Sequence, residues 1–163
     1  VSLDWYAVRT RSRHEKRVHE ALRGRGLEAF LPLWTRLSRW SDRNQKVELP
    51  LFPGYCFVRL ELENRLLALT VPGVANLVGF AAGPAAIPPP EIDAVKVLVA
   101  GPLRYDPHPF LTEGMEVEVV RGPLAGVRGH LIRKDRTARL VIAIHLIRQA
   151  AAVEIDAADV QPV

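Results

Sequence analysis

The residues able to do chemistry in this chain are few, and their spacing argues against catalysis. His14, His19, His108, His130 and His145 are scattered, and Cys56 is the single cysteine. No pair has the short spacing that holds a zinc ion. Asp156 and Asp159 lie close together before the last predicted strand. There they suit hydrogen bonds to the local backbone better than acid–base work. No glycine loop able to cradle phosphate and no nucleophile elbow is found. The sequence therefore predicts a non-enzyme with no metal and no cofactor, and leaves binding as the chemistry on offer.

Two groups of side chains could bind. The first is aromatic: Trp5, Tyr6, Phe52, Tyr55 and Phe57. Three of these belong to Leu49-Pro50-Leu51-Phe52-Pro53-Gly54-Tyr55-Cys56-Phe57-Val58-Arg59-Leu60. Pro50 and Pro53 fix φ, Gly54 frees the turn, and a strand follows. Alternation puts Tyr55, Phe57 and Arg59 on one face, with Cys56, Val58 and Leu60 on the other. The rings have two readings: sheet core, expected for Trp5, or a partly exposed patch that docks a partner. The second group is basic. Between Arg9 and Lys46 stand eleven Lys or Arg against four acids, an excess of seven, while Val47 onward carries eleven bases and thirteen acids. Arg11, Arg13, Arg17 and Arg25 surround the first predicted helix. They read either as a solvated face or as a polyanion site.

The elements that must position these groups can be read from periodicity. Trp5–Arg9 predicts a strand. Ser12, with Glu15 three residues later, predicts a capping box for a helix to about Arg23, with Val18, Ala21 and Leu22 as its buried stripe. Leu27–Leu33 reads as a second strand and Thr35–Gln45 as a hairpin tip or loop, holding Arg36, Arg39 and Arg43 near Trp34 and Trp40. Tyr55–Leu62 is the central strand, Asn64–Leu69 a short helix, and Val74–Phe80 a strand. Pro88-Pro89-Pro90 and Glu91 start a helix that buries Ile92, Val95 and Leu98.

Gly101–Pro109 has linker composition, with three prolines and no periodicity. From Thr112 short strands follow one another, with Asp135-Arg136-Thr137 as a hairpin turn. Five strands in about fifty residues predict a small closed barrel. The expected class is α+β: an N-terminal mixed sheet flanked by helices over 1–100, a linker over 101–111, and a small β-barrel over 112–163. Gly122, Gly126 and Gly129 are expected at turns and bulges. No run reaches the length of a spanning helix, no signal peptide is visible, and one cysteine fits the cytosol. The sequence thus predicts a cytoplasmic protein with no membrane partner.

Trp5-Tyr6-Ala7-Val8, the Leu51-Phe52-Pro53-Gly54-Tyr55 turn and Gly122-Pro123-Leu124-Ala125-Gly126-Val127-Arg128-Gly129 occur in this order over nearly the whole chain. In that order and spacing the chain resembles the NusG family of transcription elongation factors, with an N-terminal NusG domain and a C-terminal SH3-like KOW barrel. The resemblance implies that Tyr6, Phe52, Tyr55 and Phe57 grip the clamp helices of the largest catalytic RNA polymerase subunit. It places Arg11, Arg13, Arg17 and Arg25 near the non-template strand and the upstream DNA. It makes Leu146-Ile147-Arg148-Gln149 the loop through which the KOW module recruits other proteins.

Ile147 and Gln149 stand where general members carry an aromatic and a basic residue. That departure puts Rho binding in doubt and resembles specialised antiterminator paralogues, where an isoleucine meets a small-subunit ribosomal protein. One family branch folds the module as a helical hairpin; the β-branched alternation around Val117, Val119, Val141 and Ile155 predicts a barrel here. The alternative class is an RNA-binding KOW protein of the translation apparatus, against which the near-neutral charge after Val47 argues.

Overall fold

The computed structural model describes residues 2–40, 43–111, 114–134 and 137–163. The chain divides into two compact units, Val1–Pro89 and Pro90–Val163. The division falls at the start of the third helix, whereas composition predicts it after residue 100.

The first unit is built on β1 (Asp4–Thr10), α1 (Glu15–Gly24), β2 (Glu28–Phe30), β3 (Leu33–Trp40), β4 (Arg43–Pro50), β5 (Tyr55–Leu60), α2 (Arg65–Leu69), β6 (Val74–Leu77), β7 (Gly79–Phe80) and β8 (Gly83–Pro84). The main sheet has the order β2-β5-β1-β6. It was expected to be mixed and is antiparallel throughout. The strand–helix–strand passage through α1 makes β1 and β2 run parallel, but β5 lies between them and opposes both. On one face Tyr6, Val8, Cys56, Val58 and Leu60 form a core with Val18 and Leu22 of α1. Full burial of Val18 and Leu22 contributes about 1.5–3 kcal/mol for each side chain.

Three local expectations are corrected. Ser12 is not the N-cap: His14 holds that position without a side-chain cap, and Glu15 reaches elsewhere. The strand predicted over Leu27–Leu33 ends at Phe30, because Pro32 has no N–H for a ladder. Thr35–Gln45, read as a tip or loop, lies mostly in the paired strands β3 and β4, with Arg36 opposite Val47. Ser41 and Asp42, between them, lie outside the described residues.

The second unit holds α3 (Pro89–Ala100), β9 (Tyr105–His108), β10 (Met115–Val119), β11 (Arg128–Lys134), β12 (Thr137–Ile144), β13 (Gln149–Ile155) and β14 (Val160–Pro162). On α3, Ile92, Val95 and Leu98 are buried as the spacing predicts. The strands form one antiparallel sheet in the order β14-β10-β11-β12-β13-β9, so this module is β-structured. Its core includes Val117, Leu140, Val141, Ile144 and Val153. The five predicted strands are present.

The segment with linker composition supplies a sixth strand, β9, whose Tyr105 and His108 face Val153 and Ala150. An edge position explains how Pro107 is accommodated there. Gly129 is required by close approach: a Cβ would stand 2.5 Å from the Val141 carbonyl oxygen. Asp156 does local work, accepting the Ala158 N–H at 2.9 Å. Of the predicted hairpin turn, Asp135 and Arg136 lie outside the described residues.

Candidate functional site

The turn between β4 and β5 is the first candidate. The Tyr55 N–H donates to the Phe52 carbonyl at 3.1 Å, closing a four-residue turn with Pro53 and Gly54 at its centre. Gly54 has φ +86°, the conformation a type II turn needs at this position. Two further bonds fix the turn. The Gly54 carbonyl accepts the Thr10 N–H at 2.8 Å, and the Gly54 N–H donates to Glu15 Oε2 at 2.8 Å. Glu15 is buried. The residue predicted to close a capping box instead ties the start of α1 to the aromatic turn.

The four predicted aromatics are not one patch. Tyr6 pairs in register with Val58 and is buried on the α1 face of the sheet. Phe57 lies on the other face, between Ala7 and Phe30 on the flanking strands. Phe52 meets its ring edge-on, with centroids 6.1 Å apart, and Phe30 lies at the same distance. Phe52 and Phe57 are buried, which overturns the expectation that Phe57 is partly exposed. On an inner strand, with the Phe30 and Phe52 rings packed near it, that position has no route to solvent. Tyr55, nearer the turn, is half-buried, with the Arg9 guanidinium carbon 5.5 Å from its ring centroid. Arg9 and Phe30 thus join the site. The alternation of β1, which puts Arg9 on the side of Ala7, was the signal for Arg9. Behind this face, burial and then the charge of Glu15 push the Cys56 thiol up to about 12, so it is an inert core group.

Arg11 and Arg13 stand in the connection from β1 to α1, and Arg17 on α1. All three are exposed, and among the described residues their guanidinium groups have no hydrogen-bond or ion-pair partner. Arg25 is different. Its Nη1 donates to the Leu67 carbonyl at 3.0 Å and to Thr70 Oγ1, and its Nη2 donates to the Thr70 carbonyl. It holds the α2 end in place, and is not a free cation.

The second candidate is the connection from β12 to β13. A single 3-10 turn, His145–Ile147, leads to Arg148 in the left-handed region at φ +52°. The Arg148 N–H donates to the His145 carbonyl at 3.1 Å, and Gln149 starts β13 opposite Ile144. Ile147, expected to meet a partner, is only 7% exposed, and Leu146 is half-buried. The turn folds the isoleucine inward and leaves Arg148 outside. The Arg148 guanidinium carbon lies 4.8 Å from the Phe110 ring centroid, and the His145 ring meets Phe110 edge-on. Neither Phe110 nor Glu91, which bonds His145, had a local signal in the sequence. Among the described residues no group of three or more His, Cys, Asp or Glu could hold a metal ion, and no helix is long and apolar enough to cross a membrane.

The chain thus combines two compact units, an aromatic turn on an antiparallel sheet with exposed arginines beside it, and a small β-sheet module. The model of the family described as transcription termination factor nusG matches residues 3–96. A NusG of Helicobacter pylori strain 26695 is 31% identical over 76% of this chain and 77% of its own. That of Pseudomonas aeruginosa is 27% identical over 98% of both chains. Both are named transcription termination/antitermination protein NusG. A solved structure of Thermotoga maritima NusG shares the fold, with a TM-score of 0.59 and 22% identity over 99% of this chain and 98% of that one. The chain belongs to the NusG family.

Proposed function

We propose that this chain is a cytoplasmic, non-catalytic transcription elongation factor of the antitermination type. The sheet face around Tyr55, underlain by Phe52 and Phe57, docks on the clamp helices of the largest catalytic RNA polymerase subunit. Arg11, Arg13 and Arg17 contact the non-template strand or the upstream DNA. The Leu146–Gln149 loop recruits a small-subunit ribosomal protein. Binding free energy then favours the closed clamp, which pauses less.

One observation carries this reading. The Gly54 junction, through Thr10 and Glu15, fixes the aromatic turn to the segment that bears three exposed arginines, unpartnered among the described residues. Apolar docking and phosphate binding are thereby built into one rigid corner.

The test is an elongation assay with purified polymerase, scoring pause lifetimes and crosslinking to the non-template strand. Replacing Arg11, Arg13 and Arg17 together with Gln should weaken the crosslink and flatten the salt dependence. For every phosphate no longer neutralised, the log–log slope falls by about 0.7 on a single strand and about 0.9 on duplex DNA. Tyr55→Ala should weaken polymerase binding with the fold intact. An unaltered crosslink in the triple variant returns the arginines to ordinary solvated charge. Unaltered polymerase binding by Tyr55→Ala removes the docking assignment.

A further inference from the structure

Glu91 lies in the first turn of α3, and both its carboxylate oxygens point at one residue. Oε1 accepts the His145 backbone N–H at 2.9 Å, and Oε2 lies 3.4 Å from His145 Nδ1. His145 is the first residue of the turn that carries Ile147. Its ring stands edge-on to Phe110 at 5.5 Å, and the other side of this small cluster is closed by Arg148 over Phe110. Two groups from elsewhere in the second unit, Glu91 and Phe110, therefore converge on one four-residue connection. That connection holds a non-glycine residue at positive φ, a conformation that persists only where surrounding contacts hold it. Water can reach the cluster: the His145 side chain is 54% exposed and that of Glu91 20%.

We infer that Glu91 is a latch that keeps the loop in a closed form with Ile147 folded inward, and that the partner binds an open form in which this latch is released. The inference rests on the proposal that the loop recruits a partner. It names the regulation of that site. In the closed form the Ile147 side chain is unavailable and that of Leu146 is only partly exposed. The apparent affinity of any partner is then its intrinsic affinity reduced by the open fraction. Removing the carboxylate takes the acceptor from the His145 N–H and the anchor from its ring. Arg148 then relaxes out of the left-handed region and the open fraction rises.

The test compares the full chain with Glu91→Ala and Glu91→Gln, by amide hydrogen exchange and by binding to purified small ribosomal subunits. The His145 amide loses its acceptor in any case, so the informative probe is Arg148, whose N–H bonds the His145 carbonyl. In Glu91→Ala its exchange should rise tenfold or more, while Ala143 and Ala150, paired in the sheet, stay unchanged. Glu91→Gln keeps an acceptor and should lie between. Subunit binding should strengthen severalfold in the same order. Unchanged Arg148 exchange in both variants overturns the latch. Faster Arg148 exchange with unchanged binding upholds the latch and sinks the recruitment proposal instead. Loss of protection throughout β12 and β13 in both variants makes Glu91 a structural support of the sheet and also overturns the latch.

Discussion

Two turns in this molecule are each held by a carboxylate from the first turn of a helix, yet the two are held in different ways. Glu15 of α1 accepts the Gly54 N–H at 2.8 Å, and Glu91 of α3 accepts the His145 N–H at 2.9 Å. Both carboxylates sit where the helix dipole favours negative charge. The positive-φ residue is glycine in the first turn and arginine in the second. Glu15 is 6% exposed and its turn has a second backbone bond from Thr10. The groups around His145 are open to water, which can replace each of their bonds. The first turn is thus a fixed platform whose polar groups are satisfied inside the fold. The second is a strained connection kept shut by contacts that solvent can exchange.

The largest effect should come from the platform. Glu15→Ala removes a charge-assisted bond and leaves the Gly54 N–H, in a part-buried setting, without its acceptor. A loss of about 2–3 kcal/mol is expected. Urea unfolding of both variants checks the comparison, with Glu91→Ala costing clearly less. Equal costs would show that the two carboxylates are equivalent and break the distinction between platform and latch.

Next in size is Gly54→Ala. Nothing lies within 4 Å of the added Cβ, so the cost comes from the backbone alone at φ +86°. About 1–2 kcal/mol is expected from the left-handed strain. Thermal unfolding should show a lower midpoint with the sheet intact. A cost under about 0.5 kcal/mol, the range of ordinary surface changes, would mean that the turn readily adopts another type, and the platform would not be rigid.

Local chemistry made much of this legible in the sequence. Pro53 and Gly54 specify their turn by themselves, and the alternation of Tyr55–Leu60 assigns the two faces of β5 before any neighbour is known. The same residues do not say what covers a face. Phe57 is buried because β1 and β2 flank it and Phe52 folds against it, which is a property of pairings distant in sequence. Glu15 matched a local capping pattern, but the Gly54 N–H, thirty-nine residues away, is its partner. The strand β9 was hidden by Pro107, since linker and edge strand share composition. Arg25 looked like its neighbours in charge; only the return of the chain past α2 gives it Leu67 and Thr70 to bind.

The smallest expected effect is the most diagnostic for the second turn. Arg148→Gly relieves the left-handed strain, worth about 1–2 kcal/mol. It removes the stacking on Phe110, about 0.5–1 kcal/mol at an exposed site, and adds glycine's extra freedom in the unfolded chain, about 0.5–1 kcal/mol. The terms nearly cancel, so stability should change by less than about 0.5 kcal/mol. Arg148→Ala removes the same stacking and keeps the strained backbone, and should be less stable than Arg148→Gly by about 1 kcal/mol. The two variants both lack the arginine side chain, so their difference in urea unfolding isolates the backbone at this one residue. If alanine proves more stable than glycine by about 0.5–1 kcal/mol, the cost of glycine's extra freedom alone, Arg148 stores no strain. Opening would then gain nothing from the backbone, and the contrast with Gly54 would rest on solvent exposure alone.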